Sequence, residues 1–138
     1  MKPMLLRADA AAGPLELDEF CRRPHVVVSS MGKVIDDVDH ALSLVGRQRK
    51  VVLAVPQFSA LPGLLAGSDM VAIVPDYVAK AMARLEGMHI EFAPLDLSTP
   101  DLFMAWRGAS HIDPRERWLR SYFCRYLCQQ LERPALAA

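Results

Sequence analysis

Cys21 and His25 lie four residues apart. A thiol and an imidazole make a nucleophile–base pair when one surface presents both. Pro24 and the strand-forming run after it argue against a shared helical face, so no catalytic pair is expected. Asp36, Asp37, Asp39 and His40 crowd together as the ligands of a cation would. Acids in the first turns of a helix have a plainer role, because they complement its N-terminal dipole. The apolar spacing around them would face most of them to water, and this second reading is adopted. Arg22-Arg23 and Arg47-Gln48-Arg49-Lys50 are basic enough to touch phosphate. No glycine-rich loop accompanies the first, and both are read as solvated corners. Ser59 follows Phe58 without flanking glycines, so it is not a nucleophile elbow. Histidines 25, 40, 89 and 111 show no metal-ligand spacing. No P-loop, GxGxxG, GxSxG, HExxH or CxxC is present. The expectation is a protein without catalytic residues, metal or cofactor, with an uncharacterised α/β enzyme as the weaker alternative.

The composition is that of an ordinary globular domain. The chain has 138 residues, of which 52% are hydrophobic and 23% charged, enough for one domain with a core. Sixteen basic residues balance sixteen acidic ones, which lacks the electrostatic footprint of direct DNA binding. Three cysteines form no paired framework, which points to a reducing compartment and a cytoplasmic location. Cys124 and Cys128, four apart on an expected helix, are read as buried small hydrophobes. The opening residues do not form a signal peptide. Residues 51–68 carry no charge, but Pro56, Pro62, Gly63 and Gly67 interrupt them, so no membrane span is expected.

The elements that must position any site follow from periodicity. Residues 51–75 read as strand, turn, helix, turn, strand. Val51–Val55 and Met70–Val74 are wholly apolar and each stops at a proline, as in a parallel pair joined by a helix with both faces covered. Ser59 is an expected helix cap there. Met4–Arg7 is expected as an edge strand and residues 15–21 as one or two helical turns. His25–Ser29 is a strand. Ile35, Val38, Leu42 and Val45 mark a helix that Gly46 ends. Pro75-Asp76 opens another, with Val78, Ala81, Met82 and Leu85 buried and Gly87 at its close. Residues 88–93 alternate as a strand with one wet face or at a sheet edge, with His89 at the surface. Residues 94–100 are a linker, and Asp101–Trp106 a last strand. Asp113-Pro114-Arg115-Glu116 starts a helix that runs to about Leu131. It carries an apolar stripe of Trp118, Leu119, Tyr122, Phe123, Tyr126 and Leu127, suited to a core or a partner surface.

The stretch PHVVVSSMGKVIDDVDHALSLVGRQRKVVLAVPQFSALPGLLAGSDMVAIVP, with a closing Trp106 … His111-Ile112-Asp113-Pro114 … Arg117-Trp118-Leu119-Arg120, resembles one family. It is similar to the effector-binding (substrate-binding) domain of LysR-type transcriptional regulators, in the branch of the nodulation regulators. The resemblance covers nearly the whole chain from Leu5. It implies an α/β, periplasmic-binding-protein-like (type 2) fold: a lobe with a parallel-rich sheet flanked by helices, plus a partial second lobe. On that pattern residues 1–24 are a remnant of lobe one, with Leu5–Arg7 its last strand before the first crossing. Residues 25–94 are lobe two, and residues 95–138 are a crossover strand and C-terminal helix returning to lobe one. Family members also carry a winged helix-turn-helix, a linker helix and the first half of lobe one. DNA contact is therefore expected only through an N-terminal domain outside this sequence.

In such lobes a ligand lies against the carboxyl ends of the strands and the loops that follow. The candidates are Ser29, Ser30 and Met31 after one strand, Pro56, Gln57, Phe58 and Ser59 after the next, and Val74 and Pro75 after the third. The serines offer hydroxyls, Gln57 an amide and Phe58 an apolar wall. Phe58 packing beneath the loop and Ser59 acting only as a cap are the competing readings. The expected ligand is a small-molecule effector, aromatic or carboxylate, held weakly or not at all because the opposing lobe is incomplete. A homodimer is the other expected assembly, and a dimerisation module without ligand binding is the alternative function. No membrane partner is expected.

Overall fold

The computed structural model describes residues 2–9, 13–85, 87–98 and 103–132, with side chains up to residue 129. The chain divides into two compact units, one within residues 2–99 and one within residues 100–138. The first unit is built on a five-stranded sheet in the order β3-β2-β4-β1-β5. Its strands are β1 (Pro3–Arg7), β2 (Pro24–Val28), β3 (Lys50–Val55), β4 (Val71–Pro75) and β5 (His89–Phe92). β2 runs parallel to both β3 and β4, while β1 is antiparallel to β4 and β5. The sheet is therefore mixed, and β2, β3, β4 and β5 all point one way. Their carboxyl ends share one edge, at which β1 enters.

Alternation along the strands makes two cores. Leu5 and Val71 face one side, with Leu15, Phe20, Val38 and Leu42. Leu6, Ala72 and Val74 face the other, with Leu61, Leu65, Val78, Ala79 and Met82. Helices α1 (Leu17–Arg22) and α2 (Asp37–Leu44) thus cover one face. Helices α3 (Leu61–Leu65) and α4 (Asp76–Met82) cover the other.

Several sequence expectations are corrected here. Leu5 and Leu6 are both fully buried. Adjacent buried residues need cover on both faces, so β1 is an interior strand and not an edge. It also shares the sheet with the strands of residues 25–94. β3 and β4 are parallel in direction but not neighbours, since β2 lies between them. β3 is itself the sheet edge, with Val52 and Leu53 exposed. An apolar run does not record whether a strand has neighbours on both sides. Of the expected stripe on α2, Val38 and Leu42 are buried, while Ile35 and Val45 lie outside the helix and exposed. Within α4 Ala79 is buried and Ala81 faces solvent, and the helix stops at Met82, leaving Leu85 exposed and Gly87 beyond the cap. Of the two readings its alternation allows, β5 takes the edge position, with His89 exposed.

In the second unit, α5 (Pro114–Glu132) begins as expected. The Asp113 carboxylate accepts from Arg115 N–H at 2.8 Å and from Glu116 N–H at 3.5 Å. Asp101 and Leu102 lie outside the described residues. Residues 103–106 form no strand. Cys124 and Cys128 are exposed, not buried. Trp118, Leu119, Tyr122, Phe123 and Tyr126 are exposed as well.

Candidate functional site

The carboxyl edge of the first unit collects the expected ligand residues. Ser29 N–H donates to the Val55 carbonyl at 2.8 Å, which joins the loop after β2 to the end of β3. Val74 and Pro75 end β4 on the same edge, where Pro75 pairs with Pro3 and Asp76 N–H donates to the Lys2 carbonyl at 2.8 Å. The nine candidates are not equal in what they present. Ser30, Met31, Pro56, Gln57 and Ser59 are exposed. Val74 is buried in the core, so its side chain faces inward. Phe58 is partly buried against that core, which is the packing role. The Ser29 hydroxyl is engaged, accepting from Lys33 N–H at 2.9 Å to close the turn at Gly32. Gly32 has φ of 68°, a conformation that costs an L side chain but not glycine.

Ser59 caps no helix. It lies within a short 3₁₀ turn (Phe58–Ala60) whose N-cap is Gln57, and its hydroxyl donates to Gln57 Oε1 at 3.4 Å. α3 has only five residues, with Ala60 at its N-cap.

Two features of this edge escaped the sequence reading. Lys2 places its ammonium 6.0 Å from the Phe92 ring centroid. A cavity of about 250 Å³ opens there, lined by Lys2, Pro3, Phe92, Ala93, Leu95, Asp96 and Leu97. These residues flank the entry of β1 and the exit of β5. They are 90 positions apart in sequence, so only the β1–β5 pairing brings them together. The second feature is exposed apolar side chains, Met31, Val34 and Ile35, in the loop that runs from β2 to α2.

Buried charge fixes that loop's far end. The side chain of Arg49, expected at a solvated corner, is 1% exposed. Its Nη2 lies 2.7 Å from Asp36 Oδ1 and 2.7 Å from Asp39 Oδ2, and its Nε donates to Asp39 Oδ1 at 3.1 Å. Asp36 is the N-cap of α2, and Asp39 reciprocates in a capping box. The acidic cluster thus serves a cap and a clamp on one arginine. Burial pushes the Asp39 carboxyl up, but hydrogen bonds from Arg49 and the Asp36 backbone outweigh it and hold it below its usual value. Arg23, the other expected solvated corner, pairs with Asp9 at 2.7 Å and Glu19 at 3.1 Å.

His25 is fully buried on β2. Its Nε2 lies 2.8 Å from the Phe20 carbonyl, and its ring meets the Phe20 ring edge-on at 4.5 Å. Burial lowers its pKa to about 4, against a backbone hydrogen bond that favours the charged form, and the Arg49 cation lowers it further. His25 is therefore neutral in the folded chain near pH 7. It is a core residue tied to α1, with no role as a base for Cys21. Among the described residues no group of three or more His, Cys, Asp or Glu side chains is placed to hold a metal. None of the described helices is long and apolar enough to cross a membrane.

The second unit has its own cavity, about 770 Å³, lined in part by Trp106, His111, Arg117, Arg120 and Cys124. Arg120 donates to the carbonyls of Ser110 and His111 at 3.1 and 3.2 Å and lies 4.9 Å over the Trp106 ring. That ring stacks on His111.

A helix-flanked mixed sheet whose parallel strands end together on one edge defines an α/β, periplasmic-binding-protein-like fold. The sequence comparison identifies the family: residues 4–127 match the LysR substrate binding domain, and the chain belongs to it. The regulatory domain of MexT, a transcriptional activator in Pseudomonas aeruginosa, superposes with a TM-score of 0.85 at 52% identity, over 90% of this chain and 62% of that one. The HTH-type transcriptional activator NahR of Pseudomonas putida is 33% identical over 107 residues, 78% of this chain and 36% of NahR. NagR of a Ralstonia species, also an HTH-type transcriptional activator, is 29% identical over 114 residues, 83% of this chain and 38% of NagR. The chain thus spans little more than a third of the length of these curated relatives. They are transcriptional regulators, not enzymes.

Proposed function

We propose that this chain is the effector-sensing portion of a LysR-type regulator, and that a small-molecule co-inducer contacts it along the carboxyl edge of the sheet. The observation that carries the reading is the convergence of the ends of β2, β3 and β4 on one edge with exposed polar groups after them. Ser30, Gln57 and Ser59 supply hydrogen-bonding groups there, beside exposed Met31, Pro56 and half-buried Phe58 and Pro75. Ser29 and Val74 act behind them, one shaping the turn and the other packing the strand end. In this reading β1 is a crossing strand that arrives from lobe one and inserts in the sheet of lobe two, residues 25–94. Residues 95–138 then form the return crossing and C-terminal helix. DNA contact belongs to another part of the regulator. A second copy of the chain is the expected assembly partner, and the cytoplasm the expected location.

With only one side of the cleft present, affinity should be about millimolar, near the weak end for a small ligand. The test is an NMR titration of the ¹⁵N-labelled chain with a panel of small aromatic carboxylates. Shifts should cluster at Ser29–Met31 and Gln57–Ser59. Shifts confined to residues 103–125 would remove the site. Micromolar or tighter binding at the expected amides would show that this lobe holds the ligand unaided and would overturn the half-cleft reading.

A further inference from the structure

Free cysteine is among the most buried residue types, because a thiol packs as a small hydrophobe. This chain departs from that rule twice on one helix. Cys124 and Cys128 are free thiols on α5, and both are exposed. Four residues of helix set their Cβ atoms about 5–6 Å apart on one face. That is too far for a disulfide, which needs Cβ atoms roughly 3.5–4.5 Å apart. It suits two thiolates on one metal ion, since bonds of about 2.3 Å to sulfur hold a linear pair of sulfurs about 4.6 Å apart. The surroundings select the ion. Among the described residues no third His, Cys, Asp or Glu joins the pair. A closed zinc site takes four ligands. From Arg117 to Leu131 the helix has three arginines and no acid, so a hard cation finds no carboxylate there. Those arginines, Arg117, Arg120 and Arg125, line one cavity with Cys124.

We propose that Cys124 and Cys128 form a two-thiolate site for a soft, two-coordinate cation of the Cu(I) class. On binding, each thiol gives its proton to solvent and each sulfur forms one bond to copper. The ion keeps its single positive charge throughout, so no oxidant or reductant enters the step. Two thiolates against one such cation leave the complex with one net negative charge, which the arginines around Cys124 complement. Soft thiolate ligands favour Cu(I) over harder ions. Both ligands lie on one helix, so the site needs neither a second chain nor a change of fold. Cys21, half-buried on α1, packs against the core of the first unit and takes no part. The proposal does not depend on where the effector binds.

The test is an anaerobic titration of the reduced, intact chain with Cu(I), in competition with a chromogenic Cu(I) chelator. Each chain should take one copper from the chelator, and X-ray absorption should show two sulfur neighbours. Cys124→Ser and Cys128→Ser should each weaken binding by more than about 100-fold, because even the outer partners of a metal ligand are worth roughly 10–100-fold. Both positions are exposed, and circular dichroism checks that the helix is kept. Cys21→Ser should bind copper as the parent chain does. Joining Cys128→Ser to Gln129→Cys keeps the number of thiols but turns one off the shared face, and should weaken binding as far as Cys128→Ser alone. Excess Zn(II) should leave the copper in place. Unchanged affinity in either single variant, full affinity in the shifted pair, one copper shared by two chains, or displacement by zinc would overturn the proposal.

Discussion

Replacing Arg49 with methionine tests how the candidate ligand edge is anchored. The guanidinium is nearly inaccessible and holds Asp36 and Asp39 by three contacts between 2.7 and 3.1 Å. Methionine fills much of the same space but leaves the two carboxylates without a counter-ion. Removing one partner of a buried ion pair costs about 3–5 kcal/mol. Asp36 and Asp39 keep 40% and 22% of their side-chain surface, so solvent screens part of that loss. An expected cost of about 2 kcal/mol remains. In a unit of this size that lowers the melting temperature by roughly 10 °C. The pH dependence separates charge from packing. The Asp39 carboxyl titrates below its usual value in the folded chain, so its contribution is present above the unfolded carboxylate pKa and is lost as pH falls through the folded one. Urea unfolding followed by circular dichroism should therefore show the full deficit of Arg49→Met at about pH 7 and a much smaller one at about pH 2. A deficit below about 0.5 kcal/mol at neutral pH, or an equal deficit at both, would refute the clamp, since a pure packing loss does not titrate.

Two further outcomes follow from the same geometry. His25 titrates near 4 when folded against 6.5 in its unperturbed state. The unfolded chain thus binds the proton first, and stability should fall by up to about 3 kcal/mol as pH drops from about 6.5 to about 4, at 1.36 kcal/mol per pH unit. His25→Gln should lose that slope, and an imidazole that titrates above pH 6 by NMR would contradict the burial account. Ser59→Ala should change stability by less than about 0.5 kcal/mol, because a true cap residue would cost about 1 kcal/mol and Ser59 caps nothing. A loss of 1 kcal/mol or more in urea unfolding would show that its hydroxyl carries more than its bond to Gln57.

Much was legible before any coordinates. Short apolar runs closing on proline marked β3 and β4, because a residue without an N–H cannot donate to a ladder and sits at a strand's end. Asp113 and Pro114 marked the start of α5 because they meet the needs of a helix's unpaired N–H groups. The order of strands and helices, with the quoted motifs, was enough for the family. These are local properties, fixed by backbone conformation and residue type within a few positions.

Long-range placement was decided by tertiary structure. Which strand is an edge depends on partners elsewhere in the chain, so β1 moved inside the sheet and β3 to its border. Whether a charge is solvated depends on what it meets. Arg49 found two carboxylates ten and thirteen positions away, and Arg7 found Glu91, which spacing alone does not reveal. The candidate site shows the same division. Sequence placed Ser30, Gln57 and Ser59 after strands, but only the parallel pairing of β2 with β3 and β4 brings those strand ends to one edge. Only the β1–β5 pairing adds Lys2 and Phe92. Periodicity records which side of an element is apolar. The neighbour it faces is chosen when the whole sheet closes its hydrogen bonds and buries its two cores.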